Sequence, residues 1–137
     1  TRFAARLNSG VRRLRLPPMR TLVCAECGAL LVRGLHQLTD ESSLDQADGH
    51  DLVPQGSYFI SQGKFEPEKD GDFLVNLKDL QNTKHHTDLR RLNGCCGLDG
   101  LDGPNLLCEN GHEIGTERSD CWLAHHAVLS CSRVRDA

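Results

Sequence analysis

From Met19 onward the apolar residues come in short runs divided by Gly, Pro, Asn and Asp, which is the pattern of strands separated by turns. Residues 21–24 and 29–35 flank a Cys-Ala-Glu-Cys-Gly segment and predict a hairpin with that segment at its tip. The stretch 39–52, TDESSLDQADGHDL, is polar and acidic and reads as a loop or a solvated face. Pro54 and Gly56 introduce a strand over 57–62, and Gly71 introduces another over 72–77, both carrying β-branched or aromatic residues. Between residues 78 and 92 the pattern fits either a short helix or an irregular connection. Further strands are expected over 105–109, 112–116 and 126–134, preceded by a glycine-rich turn over 97–104. The fold class that follows is mainly β: a small, mostly antiparallel sheet.

The first residues differ from the rest. Phe3, Leu7, Val11 and Leu14 recur at near-helical intervals, but Gly10 interrupts the pattern and Pro17 and Pro18 end it. Residues 1–20 carry Arg2, Arg6, Arg12, Arg13, Arg15 and Arg20 and no acid, so a chain of net charge −3 has −9 over residues 21–137. Residues 1–18 are therefore expected to be a basic extension, disordered or upstream of the native start at Met19, and residues 19–137 the β domain.

With 137 residues the chain has the length of one domain. Four Phe, one Tyr and one Trp against 13 Gly imply a thin apolar core that gains from a covalent or metal staple. No stretch approaches the roughly 18–20 apolar residues that span a bilayer, and no apolar export segment opens the sequence, so the expected address is cytoplasmic, without a membrane partner. In reducing surroundings thiols stay free, and an odd set of seven cysteines reads better as metal ligands than as a disulfide framework.

The most specific signal is Cys24-Ala25-Glu26-Cys27-Gly28. Two thiolates two residues apart can grip one tetrahedral ion, and the following glycine relieves the tight turn. A thioredoxin-like redox pair needs a helix starting at the motif, whereas the run here is β-like. The remaining two ligands are expected in GCCGLDGLDGPNLLC, residues 94–108. Cys96 is preferred over Cys95 because Gly97 follows it as Gly28 follows Cys27, and Cys108 is preferred because it precedes the turn Glu109-Asn110-Gly111. His112 competes with Cys108, since mixed Cys and His sites are common. The expected cofactor is one structural Zn²⁺ held by Cys24, Cys27, Cys96 and Cys108, with iron second.

Other residues carry weaker signals. Cys121 and His125 would share a side if 119–126 makes a helical turn, as a second metal site or a thiol paired with a base, but a buried thiol beside a surface histidine explains them as well. Asp99, Asp102 and Asn105 are hard oxygen donors without the EF-hand pattern, and turn chemistry accounts for them. His85 and His86 read as solvated, and Glu117, Asp120 and Trp122 as a capped turn around the single Trp.

The order of a CxxC hairpin, a long middle section with strands and a late cysteine group followed by Gly111-His112-Glu113-Ile114-Gly115 resembles the zinc-bound β-tent superfamily, which includes the Yippee, B-type methionine sulfoxide reductase and glutathione-dependent formaldehyde-activating families. The segment GCCGLDGLDGPNLLC…GTERSDCW, in the last third, is similar to a signature of small uncharacterised bacterial zinc-binding proteins. In β-tent proteins the second half-site is usually another CxxC, and Cys108-Glu109-Asn110-Gly111 lacks its second cysteine. The resemblance implies Cys24, Cys27 and Cys108 as zinc ligands, a β-tent or zinc-ribbon-like sheet, and no catalytic residue.

Three functional classes follow. A binding module stiffened by zinc, meeting a protein or small ligand, is favoured because four thiolates close the coordination shell, whereas catalytic zinc keeps a position open. A thiol or metal enzyme acting through Cys121, Cys131 or the unused member of the Cys95/Cys96 pair, with His125 or His126 as base, is the alternative. Nucleic-acid binding through the arginine arm ranks last, since the rest of the domain is acidic and poor in stacking aromatics.

Overall fold

The computed structural model describes residues 18–137, so the expected basic extension lies outside the described residues except for Pro18. Among the described residues nine strands run in chain order: β1 (Met19–Cys24), β2 (Leu30–Leu38), β3 (Ser57–Gln62), β4 (Asp70–Val75), β5 (Thr83–His85), β6 (Leu106–Cys108), β7 (Glu113–Arg118), β8 (His126–Leu129) and β9 (Val134–Asp136). They form one sheet of order β5-β6-β7-β8-β4-β3-β2-β1-β9. All neighbours are antiparallel except β2 and β3, which pair in parallel across the acidic segment.

No α-helix occurs among the described residues; three single 3₁₀ turns take its place. Each begins at a short side chain that accepts from the backbone two residues on: Asp40 from Ser42, Asn76 from Lys78 and Asp88 from Arg90. Such side chains offer the backbone a local partner and stop the turn from extending into a helix. The stretch 78–92, open between helix and connection in the sequence, is thus a 3₁₀ turn, the short strand β5 and a second 3₁₀ turn. The expected single strand over 126–134 is two: β8 ends at Leu129, and a turn held by Val134 N–H donating to Ser130 O leads into β9.

Alternation decides which side chains meet. On β4, Phe73 and Val75 enter the main core with Leu22, Leu31, Val32, Leu35, Tyr58, Leu106, Ile114 and Leu129, while Leu74 faces a second cluster with Leu52, Val53, Phe59, Ala124 and Val128. The centre of the sheet is buried on both faces, with residues 52–53 at the end of the acidic loop covering the second. Cys24 and Cys108 belong to the main core although β1 and β6 are separated by five strands in the sheet order. The sheet curls until these two strands approach each other. Gln81 N–H donating to Leu31 O and Asn82 Nδ2 donating to Leu30 O help close the same seam.

Candidate metal centre

Two tight turns face each other where the sheet closes. In the first, between β1 and β2, Gly28 N–H donates to Cys24 O at 2.8 Å and Cys24 N–H to Ala29 O at 2.8 Å. In the second, between β6 and β7, Gly111 N–H donates to Cys108 O at 2.9 Å and Cys108 N–H to His112 O at 2.8 Å. Each turn passes through a left-handed residue, Gly28 at φ 78° and Gly111 at φ 88°, a conformation in which a Cβ would be strained.

The turns bring together Cys24, Cys27, Cys108 and His112, with one donor atom from each lying within 4.8 Å of the others, and this group could hold a metal ion. Cys27 Sγ is 3.7 Å from Cys108 Sγ. His112 Nδ1 is 3.4 Å from Cys108 Sγ and 3.8 Å from Cys24 Sγ. The second turn thus supplies a C-x₃-H pair. His112 thus joins Cys108 instead of competing with it, and Cys96 lies elsewhere.

Groups around the four donors prepare them for a cation. Asn110 Nδ2 donates to Cys27 Sγ at 3.3 Å. That bond first, and a backbone N–H at Ala29 second, bring the Cys27 thiol down to about 6, so the thiolate that a metal needs is favoured there. Burial pushes the Cys24 thiol up. The His112 imidazole is raised, first by its hydrogen bonds with Cys27 and Cys108 and further by the Glu26 carboxylate. Glu26 Oε2 stands 3.3 Å from His112 Nε2, on the ring nitrogen that faces away from the sulfurs. A carboxylate there fixes the tautomer that leaves Nδ1 free to ligate.

Cys96 belongs to a second group, with Asp120 and Cys121, whose donor atoms also lie within 4.8 Å of one another and could hold a metal ion. Asp120 is 1 % exposed. Its Oδ1 accepts from the backbone N–H of Cys96 at 3.0 Å and of Cys121 at 2.8 Å, and its Oδ2 from Cys95 N–H at 2.9 Å and Trp122 Nε1 at 2.8 Å. These donors, Cys96 and Cys95 first, hold the carboxyl far below its usual range. No composition or spacing rule singles out such an anchor; only the polar run around Trp122 hinted at it.

The remaining sequence candidates resolve into structure. His125 Nε2 donates to Asp120 O at 3.0 Å, so the expected pairing of Cys121 with His125 gives way to one of Cys121 with Cys96. Asp99 Oδ1 accepts from Leu101 N–H and Asp102 Oδ2 from Asn93 Nδ2, ordinary turn contacts. Asn105 is buried and bonds both backbone groups of Glu117 across the strands. His86, expected in solvent, is half-buried with Nε2 2.9 Å from Glu113 Oε2, while His85 meets Glu117 at the surface. Arg20 pairs with Asp136 and stacks over Tyr58 and Phe73.

Comparison with protein-family models, with curated proteins and with solved structures gives no match. No helix among the described residues is long and apolar enough to cross a membrane.

Proposed function

We propose that this domain is a zinc-binding module in which Cys24, Cys27, Cys108 and His112 hold one ion as a structural clamp. The spacing of the donors carries the reading. Zinc with Zn–S bonds of ~2.3 Å and a Zn–N bond of ~2.0 Å has tetrahedral edges of about 3.8 Å between sulfurs and about 3.5 Å between sulfur and nitrogen. The sulfur–sulfur separation of 3.7 Å and the sulfur–nitrogen separations of 3.4 and 3.8 Å match those edges to within a few tenths of an ångström. Three thiolates and an imidazole form a closed set for zinc, with no position left for water or substrate, and this supports a structural over a catalytic role.

The clamp's position supports the same role. It joins the β1–β2 turn to the β6–β7 turn, so the ion would seal the seam of a sheet whose apolar core is modest. The resemblance to β-tent proteins agrees on Cys24, Cys27 and Cys108, with His112 in place of a second CxxC. A scaffold stiffened in this way would present its surface to a protein or small ligand. The groove of about 620 Å³ across β4, β7 and β8, with Lys69, Thr116, Ser130 and Arg133 in its walls, is of a size that suits a small molecule.

Elemental analysis of the purified protein with thiol alkylation before and after chelation tests the reading. One zinc per chain, with Cys24, Cys27 and Cys108 becoming reactive as it leaves, is the expected result. A protein without metal whose three thiols react freely from the start would overturn it.

A further inference from the structure

We propose that Cys96 and Cys121 form a dithiol site, separate from the clamp, that exchanges with low-molecular-weight disulfides and closes to an intramolecular disulfide. The two sulfurs lie within 4.8 Å of each other, and both residues are exposed. They come from segments 25 residues apart in sequence that are fastened to one carboxylate: Asp120 takes the backbone N–H of Cys96 and of Cys121 on the same oxygen. A second device locks the segments together. A Cβ on Gly97 would lie 2.1 Å from Ser119 O, so glycine permits a backbone approach that any other residue would block. Leu98 N–H donating to Ser119 Oγ and Ser119 N–H donating to Leu98 O complete the lock.

The same anchor argues for thiol chemistry over a second metal. A carboxylate has about four lone-pair directions. Four N–H groups already occupy those of Asp120, at 2.8–3.0 Å, and the Cys96 thiol crowds Oδ1 as a fifth donor at 3.3 Å. An ion would have to displace a backbone or indole donor from a buried group. Without Asp120 only two sulfurs remain, which is a dithiol and not a closed metal shell. Cys95 contributes its backbone N–H to the anchor and lies outside the sulfur pair.

The order of events follows from the protons. The hydrogen bond with Cys96, with burial second, pushes the Cys121 thiol up, so Cys121 keeps its proton, while Cys96 gives up the proton it shares with Asp120 Oδ1, 3.3 Å away, to solvent and attacks. The Cys96 thiolate forms a bond to one sulfur of RSSR as the S–S bond breaks, and RS⁻ leaves and takes up a proton. Cys121 then loses its proton and attacks Cys96 Sγ, expelling the second RS⁻. The protein gives up two electrons and the protons of two thiols; the small disulfide accepts them and becomes two RSH.

The test uses the full metal-loaded chain, equilibrated with glutathione and its disulfide at graded ratios, quenched by alkylation and mapped by mass spectrometry. A Cys96–Cys121 bridged peptide should accumulate as the disulfide share rises and vanish as it falls. In Cys121→Ser the bridge should be lost and a mixed disulfide should accumulate on Cys96. A bridge between Cys95 and Cys96, no intramolecular bridge at any ratio, or a second metal equivalent that shields both thiols would each overturn the proposal. Labelling of Cys24, Cys27 and Cys108 in the same maps reports on the clamp, so failure of one site is read apart from failure of the other.

Discussion

Cys27 Sγ and Cys108 Sγ stand 3.7 Å apart although they lie 81 positions apart in the sequence, and the curl of the sheet brings them together. An ion between them would therefore tie together regions that the chain itself does not connect. Structural zinc sites in small peptides supply ~10–16 kcal/mol of binding free energy at neutral pH, comparable with the whole stability of a domain. Chelation is expected to lower the melting temperature sharply. Hydrogen exchange should accelerate first at the two turns and in β1 and β6, while β4 and β8, buried on both faces, keep their protection longest.

The orientation of His112 gives a finer test. Glu26 Oε2 lies 3.3 Å from His112 Nε2, where it would hold the ring for the metal, but its side chain is 70 % exposed. Partners of this kind change metal affinity by ~10–100-fold, and solvent screening at an exposed carboxylate puts Glu26→Gln at about the lower figure. Competition with a chromophoric chelator measures it. Unchanged affinity would show that the ring is held by its backbone turn alone.

The apolar core separates buried from exposed leucines. Leu31 on β2 is fully buried in the main cluster, whereas Leu101, in the loop before β6, is 55 % exposed. Leu31→Ala should cost ~2–5 kcal/mol in denaturant unfolding, through lost transfer energy and the cavity left behind. Leu101→Ala should stay within about 0.5 kcal/mol of the parent. Equal effects would mean that the groove beside Leu101 closes over it in solution.

Acid stability should carry the signature of one histidine. His126 is 4 % exposed; its Nδ1 donates to Ala124 O at 3.0 Å and its Nε2 has no partner among the described residues. Burial, with the nearby Arg118 and His125 charges adding, brings it down to about 4. The folded state therefore keeps the ring neutral while the unfolded chain protonates near pH 6.5. The stabilisation is fully present above pH 6.5 and drains as pH falls to about 4, a loss of about 3 kcal/mol. His126→Asn retains a donor for Ala124 O and removes the titration. Its stability should vary less between pH 6.5 and 4 than the parent's by about one proton; an unchanged slope would assign the acid limb to other groups.

Much of the local structure was legible because it rests on short-range chemistry. The CAECG turn, the strand at 57–62, the strand expected over 72–77 and found two residues earlier at Asp70–Val75, and the GHEIG start of β7 follow from turn residues and alternation. The parallel pairing of β2 with β3 and the three-residue strands β5 and β9 were not, because they depend on partners far along the chain. The structure places Cys96 away from Cys24, Cys27 and Cys108, and for a specific reason. Gly97 follows Cys96 as Gly28 follows Cys27, and the two glycines look equivalent in sequence, yet Gly28 serves a left-handed turn and Gly97 a close approach to the Ser119 backbone. The signal for His112 was available: it follows Gly111 in the turn that Cys108 opens, as Ala29 follows Gly28 in the turn that Cys24 opens.

That difference makes the sharpest prediction. The sequence alone favours four thiolates, from Cys24, Cys27, Cys96 and Cys108, whereas the donors that converge are three cysteine sulfurs and the His112 imidazole. Replacing zinc by Co²⁺ gives the ion a spectrum, since each cobalt–thiolate bond adds charge-transfer intensity and the ligand field changes when nitrogen replaces sulfur. Cys96→Ser should bind Co²⁺ with an unchanged spectrum, because Cys96 stands with Asp120 and Cys121. His112→Ala should weaken binding and shift the ligand-field bands, as water or buffer enters the vacated position, while the charge-transfer intensity from three thiolates persists. The opposite pattern, with Cys96→Ser altering the spectrum and His112→Ala leaving it untouched, would restore the tetrathiolate set and require the loop at residues 95–98 to leave Asp120 and reach the seam.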